Sequence, residues 1–304
     1  DGWFRPVDVK LGPDGALYIA DFYNCIIGHY EVPLDHPRRD RTHGRVWRVV
    51  YTGAGSEEQG VTSEVVPPDL TLLTNAELDE KLGDSNMTVR QLATNLLVDR
   101  CRADEGLREA TIGVAREIVD NQGASDRKRV HAMWLLSRIG GMPSVGMLGR
   151  ETPMVQTHLL RLLAQPPMPS DDLLVSCREF LHTHNDQAIQ ETLSRFTPYD
   201  GKPHVQRAFV EYAARYPRPD NVSRLLELYI HTPEDDTHLR HAILIALREH
   251  VNHSEINDES ELWAMVRAQA AQHPEIMTQV AFGARNEMGG ALAFDRLSYK
   301  IRGD

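Results

Sequence analysis

Residues 22–44, FYNCIIGHYEVPLDHPRRDRTHG, gather three histidines (His29, His36, His43), three arginines (Arg38, Arg39, Arg41) and two tyrosines. Guanidinium forks and imidazoles in one short stretch are suited to gripping an anion. A loop of more than about 15 residues without regular structure is commonly functional or disordered. Phe22, Tyr23, Ile26, Ile27, Tyr30 and Leu34 are too apolar for a simple disordered segment. The competing reading is a docking loop, packed over a neighbouring domain and anchored by Arg–carboxylate pairs.

Other chemistry-bearing residues are scattered. His238 and His241 stand three apart behind Asp235 and Asp236. Leu239, Ala242, Ile243, Ala246 and Leu247 define the apolar stripe of that segment, so both histidines belong on the outer face. The two aspartates suit the N-terminus of a helix, where the dipole favours negative charge. No metal site is assigned. Cys25, Cys101 and Cys177 are isolated and form neither CxxC nor a zinc spacing. Cys101 and Cys177 fall in helical stretches, where a buried free thiol is expected. GxSxG, HExxH, GxGxxG, P-loop and EF-hand patterns are absent, so no catalytic residue can be named.

The elements that must position the loop flank it. Val7, Val9 and Leu11 alternate with Asp8 and Lys10, the period of a half-buried strand. Gly12-Pro13-Asp14-Gly15 supplies the turn, and Ala16 to Asp21 returns as a second strand. A third strand, Arg45 to Tyr51, follows the long loop. Three strands make most of one propeller blade, and a blade does not stand alone.

Residues 53–73 begin with the Gly, Ser, Glu and Pro content of a linker. From residue 74 the apolar period changes to 3.6. Thr74-Asn75-Ala76-Glu77 has the form of a capping box before a short helix ending near Gly83. Asp84 or Ser85 is expected to cap the next, whose stripe reads Val89, Leu92, Ala93, Leu96 and Leu97. Similar stripes start at Lys128, Val155, Val205 and Leu239, so successive starts lie 39, 27, 50 and 34 residues apart. That irregular spacing is close to the ~40 residues of HEAT-type helix pairs. Further helices are expected over 105–121, 171–184, 222–230, 259–272 and 274–284. The expected fold is mainly α, a HEAT-like α-solenoid over 74–304 preceded by a small antiparallel β segment over 1–52 that is the terminal part of a β-propeller.

The 304-residue chain has 41% hydrophobic and 25% charged residues and a formal charge of −11. Residues 1–52 hold seven Lys+Arg and seven Asp+Glu, leaving 26 against 37 for the rest of the 33 and 44. An acidic helical part repels phosphate backbones, which argues against nucleic acid as a partner. No stretch approaches the ~18 consecutive apolar residues of a membrane span. The chain opens at Asp1 without initiator Met or a basic-then-apolar leader, which predicts a piece of something longer.

WFRPVDVKLGPDGALYIADFYN, with IIGHYEVPLDHPRRDRTHGRVWRVVY, resembles the end of the propeller in large membrane-bound dehydrogenase-like proteins of planctomycete-type bacteria. Those propellers are similar to the quinone-dependent sugar and sorbosone dehydrogenases. DDTHLRHAILIALREH resembles their helical region. The resemblance implies upstream propeller blades, HEAT-like repeats, and a downstream cytochrome c domain whose CxxCH site holds haem c. It implies pyrroloquinoline quinone (PQQ) and calcium in the full-length parent, with no cofactor complete in this chain. Arg5, Asp8 and Val9 match an Arg-x-x-Asp-Val stretch in which arginines hold the quinone's carboxylates; where that pattern has a second arginine, this chain has Val7. His43 and Arg45 complete the candidate cofactor-binding set. A blade-to-blade salt bridge is the competing role for Arg5.

Three functions follow. The first is a non-catalytic C-terminal piece of an extracytoplasmic or periplasmic quinoprotein-dehydrogenase-like protein, its helices a scaffold for partner domains. The second is a PQQ-dependent sugar or alcohol oxidoreductase with part of its site in residues 1–52. The third is a free-standing HEAT-like adaptor.

Overall fold

The Gly12–Gly15 turn closes because Gly12 N–H donates to the Ala16 carbonyl at 2.7 Å and Asp14 Oδ1 accepts from Ala16 N–H at 3.1 Å. Gly15 sits at φ +81°, a conformation that favours a residue without Cβ. The turn joins β1 (Pro6–Leu11) to β2 (Leu17–Asp21), and β3 (Arg45–Val49) pairs on the other side of β2. The antiparallel order is β1-β2-β3, with Val9, Ile19 and Trp47 in one cross-strand row and Leu11, Leu17 and Val49 in the next. The register shifts between Pro6 and Asp8, so Val7 is the extra residue of a bulge rather than a member of the alternating face.

The computed structural model describes residues 4–26, 32–51, 68–165 and 202–252, with 268, 273, 276 and 280. Two compact units divide the chain, Asp1–Leu135 and Leu136–Asp304. The expected linker lies mostly outside the described residues; its last part forms a single 3-10 turn, Leu70–Leu72, capped by the Asp69 side chain. Eight α-helices are described, and they pack pairwise in a repeat-like way. The chain is thus mainly helical, behind a three-stranded antiparallel sheet.

In the first unit α1 (Asn75–Lys81) begins with the expected capping box: Thr74 accepts from Glu77 N–H while Glu77 accepts from Thr74 N–H at 2.8 Å. The cap of α2 (Met87–Ala103) is Asn86, one residue past the expected pair, because Asp84 is used to accept Asn86 N–H at 2.9 Å. Its buried stripe is Val89, Ala93, Leu97, Val98 and Cys101. Leu92 is exposed and Leu96 half-buried, so the helix is rotated by about one position from the expected face. Next come α3 (Glu105–Asp120) and α4 (Asp126–Arg138). They are tied by Arg129 Nε donating to the Val119 carbonyl at 2.8 Å. Asn86 also reaches the sheet: its Nδ2 donates to the Gly12 carbonyl at 2.8 Å, and Thr88 Oγ1 donates to the Leu11 carbonyl.

In the second unit α5 (Pro153–Ala164) packs on α6 (Pro203–Arg215), and α8 (Thr237–Val251) packs on both α6 and α7 (Pro219–His231). Leu159, Leu160, Phe209, Leu228 and Ile243 are fully buried there. All five expected repeat starts fall on helices: Val89 on α2, Lys128 on α4, Val155 on α5, Val205 on α6 and Leu239 on α8. Asp236 caps α8 through Leu239 N–H at 3.0 Å, and His238 and His241 are exposed. The helices expected at 171–184, 259–272 and 274–284 lie outside the described residues, apart from 268, 276 and 280.

Candidate functional site

Asp21 ends β2 and is buried, at 4% exposure. Its Oδ1 accepts from Arg5 N–H at 2.7 Å and from Tyr23 N–H at 2.9 Å, and its Oδ2 accepts from the Trp47 indole at 2.9 Å. One carboxylate therefore ties the approach to β1, the exit of β2 and the body of β3. Burial alone would push the Asp21 carboxyl up; the Trp47, Arg5 and Tyr23 donors and the nearby Arg45 charge outweigh it and hold the group below the usual range.

Around this hub lies an aromatic and cationic cluster. The Arg45 guanidinium stacks 3.4 Å from the Tyr23 ring centroid and lies 5.6 Å from that of Trp47. Phe4 meets Trp47 edge-on, with centroids 6.3 Å apart. Tyr23 has φ 42°, which for a bulky residue costs about 1–2 kcal/mol and is held by the Asp21 contact and the Arg45 stack. Arg5 is half-buried, and its Nε is enclosed without a hydrogen-bond acceptor.

Of the four expected site residues, Arg5 and Arg45 meet at this end of the sheet. Asp8 lies elsewhere: it accepts from Val9 N–H at 2.9 Å and pairs with Lys10 at 3.3 Å in solvent. His43 belongs to a separate turn, its Nδ1 2.9 Å from Asp40 Oδ2 and its side chain 73% exposed. Backbone hydrogen bonding from Thr42, with further bonds from His43, takes the Asp40 carboxyl down to about 2 against the opposing effect of desolvation. That turn is stitched to the strand exit by Asn24 Nδ2 donating to the Asp40 carbonyl at 2.8 Å.

Arg38 and Arg39 hold the loop itself. Arg39 donates through Nε to the Pro33 carbonyl at 3.1 Å and through Nη2 to the Val32 carbonyl at 2.9 Å. Arg38 Nη2 lies 3.1 Å from Cys25 Sγ. His29 and Tyr30 lie outside the described residues. The sequence alone does not mark Asp21, Tyr23 and Trp47 as site residues. Their signal was an acidic residue at a strand end followed by Phe-Tyr-Asn, which could have suggested a side-chain-to-backbone turn.

The sheet's larger feature is an uncovered apolar face. Val9, Leu17, Trp47 and Val49 share that face by register and are 52%, 43%, 42% and 48% exposed. Every residue of β3 is exposed, as is every residue of β1 except half-buried Leu11. Among the described residues no group of three or more His, Cys, Asp or Glu could hold a metal ion, and no helix is long and apolar enough to cross a membrane. A family model described as "Domain of unknown function (DUF7133)" matches residues 1–53, the sheet and its long loop. No curated protein and no solved structure matches the chain.

Proposed function

We propose that the chain is the C-terminal piece of an extracytoplasmic quinoprotein-dehydrogenase-like protein. Its sheet closes a propeller, and its helical pairs serve as a docking scaffold for a cytochrome c domain or another protein. The observation that carries this reading is the apolar face of Val9, Leu17, Trp47 and Val49, open to solvent beside strand edges at β1 and β3. Such a face, with no further strand paired to β1 or β3 among the described residues, is a template for further strands. Antiparallel strands of the same parent protein are the proposed occupant.

Two measurements test it. The purified chain, assayed with an electron-accepting dye, added PQQ, calcium and sugars, is expected to show no dehydrogenase turnover; measurable turnover would overturn the non-catalytic reading. Val9→Lys with Val49→Lys should leave the helical circular dichroism of this chain unchanged, yet prevent the parent carrying upstream blades from accumulating as folded protein. A parent that tolerates both lysines removes the propeller reading.

A second reading, a contribution to a PQQ site, is favoured by one feature, the enclosed and acceptor-free Arg5 Nε. Arg5→Ala in the parent should then weaken quinone affinity by tenfold or more, since a charged hydrogen bond contributes about 1.5–3 kcal/mol. Unchanged affinity would leave Arg5 a structural residue between blades.

A further inference from the structure

The first helix after the linker carries a carboxylate placed against its own interest. Asp79 lies on α1 between Leu78 and Leu82, both fully buried, and its Oδ1 is enclosed without a hydrogen-bond donor. The cation whose charge reaches it, Lys128 of α4, is held instead by Glu80 at 2.9 Å. The other charged groups around this helix are also engaged or unhelpful. Lys81 pairs with Asp84 at 3.4 Å, and Arg100 of α2 is spent on Asn75 Oδ1 at 2.7 Å and the Thr71 carbonyl. Cys101 of α2 is a buried thiol whose surroundings include Asp79, Arg108 and Asp104.

We propose that α1 is a proton-sensitive clasp: with Asp79 protonated it seats firmly on α2, and with Asp79 ionised the seating weakens. Desolvation, reinforced by Glu80 and only partly offset by Lys128, pushes the carboxyl up to about 6. The sign follows from linkage. A folded-state value above the ordinary one contributes stability that is fully present below about pH 4, and the loss is complete once the pH has passed about 6. The device therefore loosens α1 between mildly acidic and neutral conditions.

Amide hydrogen exchange of the full chain at pH 5 and pH 7.5, corrected for intrinsic chemical rates, tests this. Peptides covering α1 should exchange roughly three- to tenfold faster at pH 7.5 relative to α6 peptides, the lower figure allowing for solvent screening of a half-buried group. Asp79→Asn should remove that dependence while the chain stays folded. Glu80→Gln, which frees Lys128 to neutralise Asp79, should reduce it. Equal acceleration in α1 and α6, no acceleration in α1, or an unchanged response in Asp79→Asn would each overturn the proposal.

Discussion

Asp21 and Asp79 are both carboxylates drawn out of water, and they respond to pH in opposite directions. Asp21 receives three donors, so its ionised form is favoured in the folded chain. Its contribution is present above the ordinary carboxyl value and is lost as the pH falls through its lowered folded value. The Trp47 indole proton, followed by NMR, should lose its hydrogen-bonded shift on acidification below about pH 4. Asp21→Asn should abolish that acid dependence. The amide must also turn either its oxygen away from two backbone donors or its NH2 toward the indole, at a cost of about 1–3 kcal/mol. A Trp47 signal indifferent to both acid and substitution would show that the hub holds nothing. The hub was legible only in part: the sequence marks Asp21 as a strand end, but its convergence with Arg5 and Trp47 depends on residues 16 and 26 positions away.

Among the described residues, short-range signals located the helical elements. The Thr74–Glu77 capping box, the start of α3 at Glu105 and the Asp236 cap all stand where local chemistry put them, since a cap needs only its neighbours. The cap of α2 moved to Asn86 because Asp84 is taken up by the Asn86 N–H, while the Asn86 side chain accepts from Thr88 N–H and donates to the Gly12 carbonyl. Asn86→Asp should preserve helix content, keeping its cap acceptor, but it places a carboxylate against the Gly12 carbonyl; exchange of the Gly12 and Gly15 amides should accelerate severalfold. Between α5 and α6, burial outweighs charge. Phe209→Ala should cost about 3–5 kcal/mol in a denaturant melt. Arg161→Ala, which removes a 3.6 Å pair to Glu211 at the surface, should cost no more than about 1 kcal/mol. Comparable losses from the two would contradict the assignment of Phe209 to the core.

For the molecule as a whole, the sheet and the helices are stabilised by different means. The helices bury continuous apolar stripes, whereas the sheet has a solvated apolar face and is linked to α2 through hydrogen bonds at its first turn. A three-stranded sheet without a covered face is marginal in water. Urea unfolding should therefore lack coincidence between probes: the Trp47 indole resonance should disappear at a lower concentration than the helical circular dichroism. Superimposable transitions would mean that the strands draw their stability from the helices after all.

The order of strands then helices, the spacing of the helical stripes and the caps of α1 and α8 were determined by sequence alone, because they rest on periodicity and on contacts within a few residues. Tertiary structure decided the Pro6–Asp8 register shift, the rotation of α2 away from Leu92, the meeting of Arg5 and Arg45 at Asp21 without Asp8 or His43, and the pairing of Lys128 with Glu80 rather than with Asp79. Each of these is a choice among partners distant in the chain, made by packing and by competition for a limited number of donors and acceptors.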